Sequence, residues 1–224
     1  MNKFVNSVLL FLAFFTFLLA VIVGRDIPIS FLRTTGYYLP YKDVYFIVVA
    51  ALILTIGGRR SVQRWMGVAM IRQISRYQWN EPIGKGRKSR TLFYLILEGF
   101  FHIIIAYLLL FFTKSAFPVF IVLTLLGIDH FVYAILGKIQ NMFRIGITKT
   151  ALVTVDRDVK VLYFSGLRKL SVFQKDIFFE YIKELVLEVP SDVVDPDKKE
   201  EFKIALEKQI DLDKVYLDES FKKY

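Results

Sequence analysis

The 224-residue sequence contains no cysteine, two histidines and six prolines. Without cysteine the chain can form neither disulfides nor Cys-based zinc sites, and it offers no thiol nucleophile. Walker A, G-x-G-x-x-G and G-x-S-x-G motifs are also absent, which removes the usual signatures of nucleotide-binding enzymes and α/β hydrolases. We therefore name no catalytic and no cofactor-binding residue, and we expect a non-enzymatic protein.

Apolar residues, by contrast, make up 55% of the chain, and 22 of them are phenylalanine. A soluble globular protein rarely carries so much apolar mass. Four segments have the length and composition of membrane-spanning helices, which need about 20 mostly apolar residues: Val5–Val23, Tyr41–Gly57, Thr91–Phe112 and Pro118–Gly137. A signal peptide is the alternative for the first segment, but no A-x-A-like cleavage site follows it, so we expect a retained anchor.

The positive charge of the chain is confined to its first part. Residues 138–224 carry 16 basic and 16 acidic residues, so the whole net charge of +9 lies within the first 137 residues. This distribution is typical of membrane topology and not of a nucleic-acid-binding domain, which needs a basic patch on a folded surface. Residues 59–90 hold nine Lys/Arg and one acid. The positive-inside rule places that loop in the cytoplasm, and four spans then place both termini there too.

The basic loop also has an apolar face. Between Arg59 and Tyr77, apolar residues recur at helical spacing beside the arginines, which predicts an interfacial helix on the inner leaflet. Basic and tryptophan side chains of such a helix contact anionic lipid headgroups, and the candidates here are Arg59, Arg60, Arg64, Trp65, Arg72 and Arg76. The alternative is an ordinary helix packed on the C-terminal domain. The segment from Asn80 to Arg90, with one proline and two glycines, predicts a flexible connector.

After Lys138 the sequence changes to short β-rich runs separated by turn signals, followed by a helix that starts near Pro196. The runs GITKTAL, GLRKL and VFQKDIFFEYIKELVLEVP, with the helix PDKKEEFKIALEK, resemble the PH-like domains of small bacterial inner-membrane proteins. The resemblance covers about residues 145–210. It implies a twisted sheet or partial barrel capped by one helix, and a role in binding or assembly rather than catalysis.

Four ionisable residues lie within the third and fourth predicted spans: Glu98, His102, Asp129 and His130. Each charged group at the centre of a membrane helix costs about 2.5–3.5 kcal/mol on insertion scales, so chance placement of all four is improbable. Glu98 and Asp129 lie about 10 and 12 Å from the same membrane surface if the two helices are antiparallel neighbours.

We therefore put forward the hypothesis that this group forms an intramembrane polar cluster, and the sequence leaves open whether the four side chains converge. Three interpretations stay open: hydrogen bonds that hold the helices together, a proton relay, and a metal site. The Glu98-x3-His102 spacing is not the Glu-x-x-His of di-iron bundles, which argues against the metal site.

The sequence as a whole predicts an α+β membrane protein: a four-helix transmembrane domain with an interfacial amphipathic helix, then a small cytoplasmic PH-like β domain capped by a helix. We expect a multi-pass protein of the bacterial inner membrane that acts as an accessory or scaffold subunit of a membrane assembly. Its expected partners are membrane lipids and either another membrane protein or a second copy of the chain, and no nucleic acid. The alternative function is a proton- or ion-coupled membrane protein that uses the polar cluster. The predicted parts are a first transmembrane hairpin (1–58), the basic interfacial helix and linker (59–90), a second transmembrane hairpin (91–140), the PH-like domain (145–210) and a charged tail (211–224).

Overall fold

A computed structural model describes residues 3–174, 176–182 and 185–224, with side chains in the first helix from Phe11 onward. The helices are α1 (Lys3–Gly24), α2 (Lys42–Ile71), α3 (Lys85–Phe112), α4 (Phe117–Ile139), α5 (Lys199–Glu207) and α6 (Glu219–Lys222). The strands are β1 (Pro28–Ile29), β2 (Thr34–Thr35), β3 (Trp79–Pro82), β4 (Arg144–Ile147), β5 (Ala151–Val155), β6 (Val159–Tyr163), β7 (Leu167–Phe173), β8 (Asp176–Tyr181), β9 (Val186–Pro190) and β10 (Tyr216–Leu217).

The chain divides into two compact units. A helical unit comprises Met1–Ser61 and Ile96–Val132, and a β unit comprises Val62–Leu95 and Tyr133–Tyr224. Within the described residues, three helical segments are long and apolar enough to cross a membrane: Lys42–Ile71, Lys85–Phe112 and Lys114–Ile139. The fourth predicted span, Val5–Val23, falls within α1, but the side chains of residues 5–10 lie outside the described part of the chain. The fourth span therefore stays a prediction.

Small residues let the backbones of the helical unit approach closely. Its core contains Ala20, Ala106 and Ala116 together with larger side chains such as Phe46. A Cβ added at Gly24 would lie 2.0 Å from the carbonyl oxygen of Phe112, so only glycine fits there. Such small-residue contacts are characteristic of helices that associate in lipid, where apolar burial alone gives little driving force.

The second apolar helix is much longer than its predicted span. Helix α2 has 30 residues, which is about 45 Å against a hydrocarbon core of roughly 30 Å. Nothing between Arg59 and Met70 stops it, because that stretch is rich in good helix formers such as Arg, Gln, Met and Ala. The basic segment therefore does not form a separate interfacial helix. Val68 and Ile71 are buried in the core of the β unit, which agrees with the alternative of a helix packed on the C-terminal domain.

The β unit is built from two four-stranded sheets with the strand orders β3-β4-β5-β6 and β10-β7-β8-β9. The pairs are antiparallel except for β10 with β7. Two of the predicted β-rich runs form a hairpin, since Phe173 pairs with Asp176 and Leu170 with Phe179. The predicted capping helix is present too: α5 buries Phe202 and Leu206 in the same core.

The predicted flexible connector is wrong. Trp79–Pro82 forms strand β3, which pairs with β4 in the register Trp79↔Ile147, and α3 already begins at Lys85. The Asn80 side chain explains part of this order, because its amide donates to the Ile71 carbonyl at 3.0 Å while its oxygen accepts from Arg144 at 2.7 Å. Proline ends the strand without harm because β3 is an edge strand.

The predicted charged tail, 211–224, is part of the β unit. Residues 216–217 form β10 beside β7, and α6 buries Phe221. The Tyr224 hydroxyl donates to the Ser191 carbonyl at 2.7 Å. These apolar and aromatic residues are spaced irregularly among charges, so the sequence showed no period that would have predicted their burial.

One ion pair fastens the start of α3 within the β unit. Arg87 donates to one carboxylate oxygen of Asp156 through Nε at 2.9 Å and through a terminal nitrogen at 2.6 Å. The Asp156 side chain is 10% exposed, and Tyr133 donates to the Asp156 carbonyl at 3.0 Å. The neighbouring Arg90 pairs with Asp192 at a more exposed position.

Candidate functional site

Three of the four ionisable residues predicted to cluster come together in the helical unit. Nε2 of His130 lies 3.2 Å from Oε2 of Glu98, and the rings of His102 and His130 stack with centroids 5.0 Å apart. A terminal nitrogen of Arg60 lies 3.6 Å from the same Glu98 oxygen. The His130 side chain is 5% exposed, whereas Glu98 and Arg60 are 24% and 27% exposed. From here on, the polar cluster means the observed group Arg60, Glu98, His102 and His130, in which Arg60 stands in place of Asp129 from the predicted group.

The backbone determines which histidine nitrogens carry protons. Nδ1 of His130 lies 2.6 Å from the Leu126 carbonyl oxygen, and Nδ1 of His102 lies 2.7 Å from the Glu98 carbonyl oxygen. A carbonyl oxygen can only accept, so both Nδ1 atoms donate. Each Nε2 is then a bare acceptor while its ring is neutral.

The contact between Glu98 and His130 therefore requires one further proton. A bare Nε2 and a carboxylate oxygen would face each other with lone pairs only, so a proton must lie between them. A terminal nitrogen of Arg60 adds a cation beside the same oxygen. With one proton on Nε2, the contact would be an ion pair between the His130 imidazolium and the Glu98 carboxylate, which we state as a prediction.

Asp129 directly precedes His130 on α4 and is half-buried. Successive residues of a helix are turned by about 100°, so Asp129 projects from a different side of α4 than His130. Among the described residues, no group of three or more His, Asp and Glu side chains has an arrangement that could hold a metal ion.

Two glycines that the sequence reading passed over allow the cluster to form. A Cβ at Gly99 would lie 3.2 Å from the Gly127 carbonyl, and a Cβ at Gly127 would lie 3.0 Å from the Gly99 carbonyl. The backbones of α3 and α4 therefore touch one residue away from Glu98 and three residues away from His130. The sequence signal for this contact is a glycine within two residues of an ionisable residue in each span, since small residues mark close helix contacts in membranes.

An apolar pocket adjoins the polar cluster within the helical unit. Its volume is about 280 Å³, and all four long helices contribute to its wall. Most of the wall is aliphatic or aromatic, and its polar members are Thr16, Glu98 and His102. The Thr16 hydroxyl is already engaged, because it donates to the Leu12 carbonyl at 2.8 Å and lies 3.1 Å from the Tyr45 hydroxyl.

The residues predicted to contact lipid headgroups lie in different surroundings. Arg64 is 1% exposed, and its guanidinium carbon lies 5.1 Å from the centre of the Tyr133 ring. Trp65 packs edge-on against the same ring. Arg64 thus lies in the interior of the β unit, and a headgroup contact at this residue stays a prediction. Arg60 takes part in the polar cluster, while Arg59, Arg72 and Arg76 are exposed, and for them headgroup contact stays a prediction.

The β unit presents an open groove between the edges of its two sheets. Strands β6 and β9 stand at the ends of the two strand orders. They flank a groove of about 520 Å³ lined by residues 160–162 and 186–188. Lys160 donates across it to the Glu188 carbonyl at 2.8 Å. In the described parts of the chain, no strand pairs with the outer edge of β6 or of β9.

No protein-family model matches the chain. No curated protein and no solved structure matches it either. The resemblance to PH-like domains thus stays a prediction at the level of sequence pattern. The structure supports its coarser content: three long apolar helices followed by small, mostly antiparallel β sheets with a capping helix.

Proposed function

We propose that this protein is a non-enzymatic, multi-pass membrane protein that serves as an accessory or scaffold subunit of a membrane assembly. The helices α1 to α4 would span the bilayer, and the β unit would lie in the cytoplasm as a PH-like interaction domain. The observation that carries the proposal is the groove between β6 and β9. We assign it to an extended segment of a partner membrane protein.

The chemistry of the groove supports that occupant. A free sheet edge offers a row of backbone N–H and C=O groups, and an extended peptide satisfies them by adding a strand. The side chains along the groove include Val161, Val186 and Leu187, which would pack against apolar side chains of the added strand. Lys160 and Glu188 balance each other in charge, so the groove favours a segment with little net charge. Pro190 lacks an N–H, which limits pairing beyond the end of β9.

The test is affinity purification of the tagged full chain from native membranes. We expect a stoichiometric partner in the wild type and its loss in Val186→Arg, because Val186 is 51% exposed on the groove and tolerates a charge without unfolding. Ile204→Arg is the matched control, since Ile204 is 46% exposed on α5 and lies outside the groove. A strictly solitary wild-type protein would contradict the proposal. So would a partner that Val186→Arg retains.

The polar cluster favours a second candidate function, proton-coupled transport or signalling. Its supporting observation is the distance of 3.2 Å between Nε2 of His130 and Oε2 of Glu98, since either of these atoms can bind a proton. Ionisable residues inside membrane helices are often parts of proton pathways. In vesicles with an imposed pH gradient, the wild type should pass protons faster than Glu98→Gln, with Tyr107→Phe on the exposed face of α3 as the control. Equal proton flux in wild type and Glu98→Gln would leave the cluster with a structural role alone.

A further inference from the structure

We propose that the pocket in the helical unit binds an uncharged amphiphilic molecule, with its apolar chain in the pocket and a hydroxyl donating to Nε2 of His102. The inference is independent of the scaffold function, because the pocket and the β6–β9 groove share no residue.

The pocket dimensions suit a small apolar body. The volume of about 280 Å³ is close to the lower end of the roughly 300–1,000 Å³ found for small-molecule sites. The wall combines a large apolar surface with a few polar groups, which is the usual composition of such sites. Phe17, Phe101 and Ile105 on the wall are 40–55% exposed, so the pocket opens at the surface of the helical unit, where a hydrophobic molecule can enter from lipid.

The polar end of the pocket presents an acceptor without a donor. His102 forms part of the wall, and its Nδ1 is used on the Glu98 carbonyl. Its Nε2 has no hydrogen-bond partner among the described residues. A second proton on the His102 ring would place a charge in the mostly apolar wall of the pocket, which is costly, so the ring is neutral. A neutral Nε2 can only accept, so the ligand must supply an O–H or N–H.

The surrounding charges exclude a charged headgroup. A carboxylate or phosphate in the ligand would face the Glu98 carboxylate on the pocket wall, and an ammonium would gain little from that carboxylate because Arg60 already lies 3.6 Å from it. Such like-charge contacts are costly where water is scarce. The remaining chemistry is an uncharged donor on a hydrophobic chain, such as a long-chain alcohol or a phenol with an apolar tail.

Photolabelling in lipid nanodiscs tests the proposal with two matched probes. One is a dodecanol that carries a diazirine on its chain, and the other is the methyl ether of the same molecule. We expect the alcohol to label pocket residues of the full-length wild type saturably and about tenfold more strongly than the ether, because the ether leaves Nε2 unsatisfied. In His102→Phe, which keeps the stacked ring, alcohol labelling should fall to the level of the ether. Tyr107→Phe on the same helix, outside the pocket, should label as the wild type does.

The opposite outcomes overturn the inference. Equal labelling of the wild type by alcohol and ether would mean that the pocket holds an acyl chain of the bilayer without recognising a headgroup. Labelling that excess unlabelled dodecanol does not reduce would mean the same. If His102→Phe does not fold, the comparison of alcohol with ether on the wild type still decides the question. Unchanged labelling of a folded His102→Phe would exclude Nε2 as the acceptor.

Discussion

The proton between Glu98 and His130 can be tested by two substitutions at one position. Glu98→Gln keeps the length of the side chain and can donate its amide N–H to a neutral His130. Glu98→Ala removes every partner that residue 98 supplies to Nε2. If the contact is a hydrogen bond that needs one donor, the two variants should therefore differ in stability.

The difference in stability follows from the burial of the pair. Hydrogen bonds within membrane helices average about 0.6 kcal/mol, so Glu98→Gln, which replaces one such bond by another, should cost less than about 1 kcal/mol. Glu98→Ala loses the bond and leaves Nε2 of His130, whose side chain is 5% exposed, without a donor or acceptor, which adds about 1–3 kcal/mol. The full cost of about 3–5 kcal/mol for a broken buried ion pair does not apply, because His130 can lose its proton and Glu98 is 24% exposed. We expect Glu98→Ala to destabilise the protein by about 2 kcal/mol.

Nuclear magnetic resonance of the protein labelled with [15N]histidine reads the proton directly. The chain has two histidines, and His102→Phe assigns the signals. In the wild type, both ring nitrogens of His130 should carry protons, and in Glu98→Gln only Nδ1 should do so. A neutral His130 ring in the wild type would refute the ion pair. Equal destabilisation by Glu98→Gln and Glu98→Ala in chemical unfolding would refute the hydrogen bond.

Three further predictions concern packing, an ion pair and a buried phenol. Gly127→Ala places a Cβ 2.8 Å from Ile103 and should destabilise the helical unit by about 1–3 kcal/mol, whereas Gly58→Ala, with nothing within 4 Å, should be neutral or stabilising in the same unfolding assay. Arg87→Gln should cost about 2 kcal/mol through its buried carboxylate partner, and Arg90→Gln at the exposed pair less than about 1 kcal/mol, by chemical unfolding of each variant. Burial raises the pKa of Tyr224 to about 12 from 10.0. The stability that the protonated Tyr224 hydroxyl gives the folded protein is therefore complete below pH 10 and declines as the pH rises towards 12. The stability difference between wild type and Tyr224→Phe should shrink across that range in a pH series of unfolding curves, and a constant difference would contradict the assignment.

The features that stood out in the sequence are long runs or regular spacings of apolar residues, and ionisable residues that are costly to place in a membrane. The apolar runs predicted the helices at 42–71, 85–112 and 117–139, because each run is long and nearly free of charge. Strands β7 and β8 agree with the predicted β-rich runs, which are separated by a turn signal in the sequence. Glu98, His102, Asp129 and His130 stood out because ionisable residues in apolar helices are expensive, but their depth in the helices left open whether the four side chains meet.

Other features depend on long-range contacts that leave no local pattern. Strand β3 pairs with β4 some 60 residues later, so the four residues at 79–82 gave no strand signal of their own. The burial of Arg64 against Tyr133 leaves no local signal. The residues next to Arg64 in the sequence resemble those around a solvated or headgroup-facing arginine. Gly99 and Gly127 allow the backbone of the opposite helix to approach closely. This long-range contact leaves no pattern in a single sequence. The groove between β6 and β9 likewise arises from how two sheets end.

The most direct test of the proposed function is the composition of the complex purified from native membranes in three parallel samples: wild type, Val186→Arg and Ile204→Arg. Differently tagged copies of the chain, expressed together, distinguish a second copy from another membrane protein as the partner. We expect one stoichiometric partner with the wild type and with Ile204→Arg, and none with Val186→Arg. A wild-type protein purified alone, or a partner bound equally to all three, would contradict the proposed function.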